Sequence, residues 1–175
     1  MPQFPQVQGA SDNPWDLLAE RFNTHKLMDE IHPDAAVNIY LGWPTFFDQI
    51  KSQAEYTGRR KLSILDFGCG AGELCTKLHM KGHNVVGIDA SKILLNLAKN
   101  NSPLGIEYCL KTELRDREQC SIYNNKMDVV TSMHSLDWID DMEEVLFQIS
   151  QYLVDNGLFI FSVLLFKFLV YSVIL

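Results

Sequence analysis

The stretch that decides the fold is Ile-Leu-Asp-Phe-Gly-Cys-Gly-Ala-Gly, residues 64–72, together with the acid Asp89 further along the chain. An apolar run ends on an acid and breaks into alternating glycines, and a second apolar run ends on another acid. Parallel strands that are buried on both faces have this composition. Glycines allow the backbone to turn sharply and to approach a ligand closely. The stretch therefore predicts an adenine-bearing cofactor at the mouth of a parallel sheet.

The segments around this turn alternate between strand and helix patterns. The apolar runs predict five strands, at residues 62–67, 84–89, 106–110, 127–132 and 158–163. The stretches between them predict helices at residues 71–80, 91–100 and 141–153, and residues 155–157 predict a turn. This order is typical of an α/β protein with a doubly wound, Rossmann-like parallel sheet.

The chain divides into four parts on composition. Residues 1–13 are polar with two prolines, which predicts disorder. Residues 14–60 predict a helical cap, with one helix from Pro14 and a second over 44–56. Residues 61–163 predict the cofactor-binding domain, and residues 164–175 form an atypical apolar tail.

Composition and charge limit the function classes. The chain has 175 residues, 47% of them hydrophobic, and a net charge of -7. One domain is expected, and its acidity disfavours nucleic acid as a partner. The four cysteines and five histidines show no metal-ligand spacing, so we expect free thiols and no metal. The first residues lack a signal-peptide pattern, so a cytoplasmic location is expected.

The acids discriminate between two classes of cofactor. A dinucleotide site requires G-x-G-x-x-G, but Glu73 stands at the third glycine's place and Gly72 comes one residue early. Asp66, two residues before Gly68, would also meet a diphosphate. An acid at that position favours a ligand with an ammonium group and no phosphate, such as S-adenosylmethionine.

The motif with Asp66, the three glycines and Asp89 resembles the first two motifs of the class I S-adenosylmethionine-dependent methyltransferases. Later segments are similar too, at residues 106–108, 127–132, 136–139 and 155–158. The resemblance implies the methyltransferase fold, S-adenosyl-L-methionine as cofactor, and methyl transfer to an acceptor. We expect that acceptor to be a small molecule, because nothing in the sequence suggests a macromolecular surface.

The resemblance also implies roles for individual residues. Asp66 would anchor the methionine moiety, Asp89 would hold the ribose hydroxyls, and His134 is a candidate general base. The other predicted cofactor-binding residues are Gly68, Cys69, Gly70, Gly72, Ala90, Thr112, Ser132 and Met133.

The C-terminal end departs from the family pattern. The family's sheet continues with a sixth and a seventh strand, whereas here the fifth is followed by LLFKFLVYSVIL, residues 164–175. We therefore expect a sheet that lacks the last two strands. A truncated or altered C-terminus, a membrane anchor through residues 157–175, and an added strand or helix are the three interpretations of this tail.

Two other functions compete with methyl transfer. A non-catalytic S-adenosylmethionine-binding remnant would explain the missing last strands. A nicotinamide-dependent oxidoreductase would share the glycine turn, but Glu73 in place of the third glycine disfavours it.

Overall fold

The computed structural model describes residues 13–19, 37–111, 121–164 and 168–174. The predicted disorder of residues 1–12, the continuation of the first helix beyond residue 19, and Thr112 lie outside the described residues. The helices are α1 (Pro14–Leu17), α2 (Trp43–Thr57), α3 (Glu73–Met80), α4 (Lys92–Asn101) and α5 (Met142–Tyr152). The strands are β1 (Ser63–Phe67), β2 (Asn84–Asp89), β3 (Glu107–Leu110), β4 (Met127–Met133), β5 (Leu153–Leu164) and β6 (Phe168–Ile174).

The strands form a single sheet in the order β3-β2-β1-β4-β5-β6. The pairs from β3 through to β5 are parallel, which confirms the predicted doubly wound sheet. Leu65 of β1 lies between Val86 of β2 and Val130 of β4. The winding reverses between β1 and β4, and ligands in such sheets bind beyond the carboxyl ends of the strands at this reversal.

Alternate residues of β1 face two separate cores. Ile64 packs in the cluster that holds Phe46 of α2 and Leu78 of α3, whereas Leu65 packs in the cluster that holds Ile149 of α5. Helices α2, α3 and α4 therefore cover one face of the sheet, and α5 covers the other. Both faces being buried explains why the strands are continuous apolar runs.

Side-chain caps explain where two of the helices begin. The Ser91 hydroxyl accepts the Leu94 N–H (3.1 Å) at the start of α4, and the Asp141 carboxylate accepts the Glu144 N–H (3.0 Å) at the start of α5. Such side chains satisfy N–H groups that the first turn leaves unpaired. A π-helix, Asn38–Gly42, leads into α2.

The predicted turn at residues 155–157 is wrong, because β5 begins before it. The register passes from Met127 opposite Leu153 to Val129 opposite Leu158, so residues 154–157 bulge out of the strand. Asn156 takes a left-handed φ of 62°, and its carbonyl accepts a hydrogen bond from Gln53 Nε2 (2.8 Å). The Asp-Asn-Gly sequence thus bends a strand that α2 holds in place.

The sheet also continues beyond the fifth strand, contrary to the expectation that it would end there. Strand β6 pairs antiparallel with β5, from Leu164 opposite Phe168 to Leu158 opposite Ile174. An uncharged, β-rich run can supply the hydrogen bonds that β5 would otherwise leave open at its edge. Of the three interpretations of the tail, the added strand is the one observed. No helix within the described ranges has the length and apolar character needed to cross a membrane.

Candidate functional site

A cavity of about 450 Å³ opens where β1, β2 and β4 end. This volume is typical of sites for small ligands, which span roughly 300–1,000 Å³. Eight of the residues predicted from the sequence line it: Asp66, Gly68, Cys69, Gly70, Asp89, Ala90, Met133 and His134. Gly72 and Ser132 do not line it, and Thr112 is outside the described residues. The structure therefore brings most of the predicted set together.

The glycine turn forms the floor of this cavity. Gly68, Gly70 and Gly72 have left-handed φ angles of 77°, 55° and 81°. A Cβ on Gly68 would lie 2.5 Å from Ser135 Oγ, and one on Gly72 would lie 2.8 Å from the Ala98 Cβ. A Cβ on Gly70 would meet no atom within 4 Å among the residues that the structure describes, its chain neighbours apart. Gly68 and Gly72 are thus required by packing, whereas at Gly70 the free space belongs to the cavity.

Asp66 ends β1 and is almost completely buried, with 2% of its surface exposed. Its Oδ1 accepts the Thr131 hydroxyl (2.8 Å), and its Oδ2 accepts the Cys75 thiol (3.3 Å). Burial raises the pKa of this carboxyl to about 6, although both hydrogen bonds oppose the shift. Because desolvation disfavours the charged form, a cation in the cavity would stabilise the Asp66 carboxylate.

Asp89, at the end of β2, is tied to the backbone on both sides. Its Oδ2 accepts the Gly70 N–H and its Oδ1 accepts the Ser91 N–H, both at 2.8 Å. Burial raises the pKa of Asp89, and these N–H groups and the charge of Lys111 act against that shift. A carboxylate oxygen has a second lone pair, so Asp89 can accept ligand hydroxyls while it keeps both backbone bonds.

Helix α1 covers the β2 side of the cavity. The Asn13 side-chain amide donates to the Ala90 carbonyl, and the Asp16 carboxylate accepts the Ile93 N–H (3.2 Å). Trp15 then meets Trp138 edge to face, with ring centroids 5.1 Å apart and planes at 82°. The two indoles form an aromatic wall of the cavity, which Ala90, the residue predicted to lie by the adenine, also lines.

His134 lies at the end of β4 with a left-handed φ of 53°. Its Nε2 contacts Asn38 Oδ1 (2.9 Å), and its Nδ1 contacts the Ser162 hydroxyl (3.3 Å). Because Asn38 Oδ1 can only accept, the proton is on Nε2, and Nδ1 accepts from Ser162. Burial lowers the pKa of His134, against the opposing charge of Asp137, so the imidazole is neutral near pH 7. Ser132, two residues before His134 in the chain, shares a hydrogen bond with Ser135.

Several lining residues were not among the predicted site residues. They come from α1, the π-helix, the start of α2 and the segment after β4: Trp15, Val37, Asn38, Trp43, Ser135, Trp138 and Ile139. Glu73 and Lys111 line the cavity as well. Trp43 and Trp138 could have been identified from the sequence, because each is an aromatic residue that flanks a predicted helix. No local sequence pattern identifies Asn38. Across the described ranges, no group of three or more His, Cys, Asp or Glu side chains could hold a metal ion.

Comparison with known proteins identifies the family. A family model described as a methyltransferase domain matches residues 43–169. The ubiquinone biosynthesis O-methyltransferase of Rickettsia typhi is 30% identical over 115 residues, covering 64% of this chain and 45% of that protein. The malonyl-[acyl-carrier protein] O-methyltransferase of Buchnera aphidicola is 33% identical over 101 residues, covering 58% of this chain and 39% of that protein. The chain thus spans less than half the length of these two relatives.

A solved structure agrees with these relatives. The S-adenosylmethionine-dependent methyltransferase of Mesorhizobium loti superposes with a TM-score of 0.51 at 30% sequence identity. The match covers 58% of this chain and 46% of that protein. The family model and this structure point to the same fold and the same class of cofactor.

Proposed function

The chain belongs to the class I S-adenosylmethionine-dependent methyltransferases, and from that membership we propose that its cavity binds S-adenosyl-L-methionine for methyl transfer to a small molecule. The observation that carries the proposal is the pair of buried acids beside the glycine turn. Asp66 is 2% exposed and Glu73 is 8% exposed, and both line the cavity. A diphosphate in this place would face two carboxylates, whereas a sulfonium and an ammonium would be attracted to them.

The cavity residues fit the parts of this cofactor. Asp89 would accept the ribose hydroxyls, and Ala90, which lines the same cavity as Trp15 and Trp138, would lie beside the adenine. The open space above Gly70 admits a ligand close to the backbone. Gly68, Cys69 and Met133 would line the methionine side. Each assignment rests on the lining residues and on their hydrogen-bonding capacity.

The bound cofactor supplies a sulfonium whose methyl group is transferred by in-line displacement, with a good leaving group already present. The protein's contribution is then mainly to position donor and acceptor. We propose neutral His134 as the proton acceptor on the acceptor side. Its two ring nitrogens already bond Asn38 and Ser162, so a substrate proton would have to replace one of these contacts.

The acceptor end of the cavity supports a small, largely apolar substrate. Val37, Trp43 and Ile139 contribute apolar surface to the cavity, and Asn38 and His134 are among the polar residues that line it. One relative named above is an O-methyltransferase of ubiquinone biosynthesis, and the other is a malonyl-[acyl-carrier protein] O-methyltransferase. The two relatives therefore have different methyl acceptors. We therefore propose a chemical class for the methyl acceptor, a small and largely apolar molecule, and name no individual compound.

Isothermal titration with S-adenosylhomocysteine and with NADH tests this function. We expect S-adenosylhomocysteine to bind and NADH to give no heat. Asp89→Ala should weaken S-adenosylhomocysteine about tenfold or more, because hydrogen bonds to a charged group contribute roughly 1.5–3 kcal/mol. Asp155→Ala, an exposed acid in the β5 bulge, is the matched control and should leave the affinity unchanged. Tighter binding of NADH, or a folded wild type that binds neither ligand, would overturn the proposal.

A further inference from the structure

Three carboxylates line the cavity, and one of them differs from the others. Asp66 and Asp89 each accept two hydrogen bonds from neighbouring donors. The Glu73 side chain is only 10% exposed, and its ionic partner is Lys77 Nζ at 4.0 Å. Within the described part of the chain, no donor lies within hydrogen-bonding distance of the Glu73 carboxylate. A buried carboxylate that faces a cavity is therefore left with capacity for a ligand.

The cation paired with Glu73, Lys77, is shared with another group. Lys77 Nζ lies 4.5 Å from the centroid of the Trp43 ring, and the lysine side chain is 31% exposed. Its ammonium is thus stabilised by the indole face and by water as well as by Glu73. At 4.0 Å, the contact is an ion pair without a hydrogen bond. Buried carboxylates are normally hydrogen-bonded, because desolvation without a donor is costly.

The position of Glu73 indicates which part of a ligand it would meet. Asp89 is the last residue of β2, whereas Asp66 lies near the end of β1 and Glu73 is the first residue of α3. Because β1 is the strand next to β2 and the cavity runs from Asp89 to Glu73, a nucleoside held at Asp89 has room to extend its 5′ substituent toward the start of α3. In the cofactor of the proposed function, that substituent is the methionyl group, which carries an ammonium ion.

We propose that Glu73 is a cofactor-binding residue that accepts a hydrogen bond from the α-ammonium group of the methionyl moiety. This assignment rests on the proposed function. A protonated amine is a charged donor, so it would provide the strong hydrogen bond that Glu73 lacks. The role of Glu73 is recognition of the amino-acid end, separate from the ribose site at Asp89.

Two ligands that differ in the amino-acid end test this role by titration calorimetry. S-adenosylhomocysteine carries the ammonium, whereas 5′-deoxy-5′-methylthioadenosine lacks the amino-acid group, and neither has a sulfonium charge. Glu73→Gln should weaken S-adenosylhomocysteine about tenfold or more and leave methylthioadenosine within about twofold, since charged hydrogen bonds are the stronger class. Glu73→Asp, which keeps the charge, should retain part of the preference. Glu143→Gln, an exposed acid in the first turn of α5, is the matched control and should change neither affinity.

The outcomes separate this inference from the proposed function. If Glu73→Gln weakens the binding of both ligands equally, Glu73 supports the fold. If it weakens the binding of neither, the ammonium group binds elsewhere. Either result overturns the inference. A wild type that binds methylthioadenosine as tightly as S-adenosylhomocysteine overturns it too, with the adenosine site intact. A wild type that binds neither ligand overturns the proposed function and this inference with it.

Discussion

Replacing Gly70 by alanine should weaken cofactor binding strongly while the protein stays folded. Gly70 has a φ of 55°, so the alanine would pay a left-handed strain of about 1–2 kcal/mol. Apart from the adjoining residues, no atom of the described residues lies within 4 Å of the new methyl group, so no overlap adds to that strain. The methyl group would instead occupy space at the floor of the cavity, where a ligand comes closest to the backbone. We expect S-adenosylhomocysteine affinity to fall by about 100-fold or more, equivalent to at least about 2.7 kcal/mol.

Gly68→Ala provides the contrast, because there the damage is to folding. Its φ of 77° gives the same left-handed strain, and the new Cβ would lie 2.5 Å from Ser135 Oγ. Ser135 cannot easily move, since its hydroxyl donates to the Phe67 carbonyl at 3.0 Å. Overpacking of this kind costs about 1–3 kcal/mol, so the total loss should be about 2–5 kcal/mol. The Gly68→Ala, Ser135→Gly double variant should recover the overpacking part.

Urea unfolding and titration calorimetry on the same preparations measure both effects. Gly58→Ala is the matched control for strain alone, because Gly58 has a φ of 67°, open space around its Cβ position and a place at the end of α2. It should lose about 1–2 kcal/mol of stability, as expected from the left-handed strain alone, and keep full affinity. The reasoning is refuted if Gly70→Ala binds S-adenosylhomocysteine like the wild type, or if it loses as much stability as Gly68→Ala.

Three further predictions concern the walls of the cavity. All three tryptophans of the chain line the cavity: Trp15, Trp43 and Trp138. Titration with S-adenosylhomocysteine should therefore change the intrinsic tryptophan fluorescence strongly. An unchanged emission spectrum at saturation would contradict the proposed site. The raised pKa of Asp66, about 6 when folded against 3.8 for the free group, means that the folded state binds this proton more tightly. The free energy of unfolding should therefore fall by about 2–3 kcal/mol as pH rises from about 4 to about 6, and urea titrations should show that fall reduced in Asp66→Asn. His134→Ala should lower the free energy of unfolding by about 2 kcal/mol, because the variant loses two side-chain hydrogen bonds. His134→Asn should lower it by less, because asparagine tolerates a left-handed φ. If His134→Ala and the wild type are equally stable in urea, these hydrogen bonds contribute nothing to stability.

Much of the fold was readable from local sequence. The bounds of β2 are those expected from its apolar run, and α4 begins at Lys92, one residue after its predicted start at Ser91. The errors lie at β5 and β6. Asp-Asn-Gly at 155–157 has the composition of a turn, and only pairing with β4 makes it a bulge. The tail has no local signal that separates a strand from a membrane segment, since its only charged side chain is Lys167 and both kinds of element are rich in apolar residues.

The candidate site was predictable where it consists of one motif. Asp66, the glycines and Asp89 come from two consecutive strand ends, so spacing alone brings them together. Asn38 and Trp15 reach the cavity from segments distant in sequence, and their place depends on how the N-terminal helices pack. Glu73 lies within the motif, but its burial and lack of a short hydrogen bond became visible only in three dimensions.

The backbone bonds of Asp89 have a consequence for how a ligand arrives. Because this carboxylate already holds the Gly70 and Ser91 N–H groups, the glycine turn is preorganised without any ligand. Little of the binding free energy is then spent on ordering the loop, which preserves affinity. Association should accordingly follow a single fast phase in stopped-flow experiments, as expected when no slow rearrangement precedes binding.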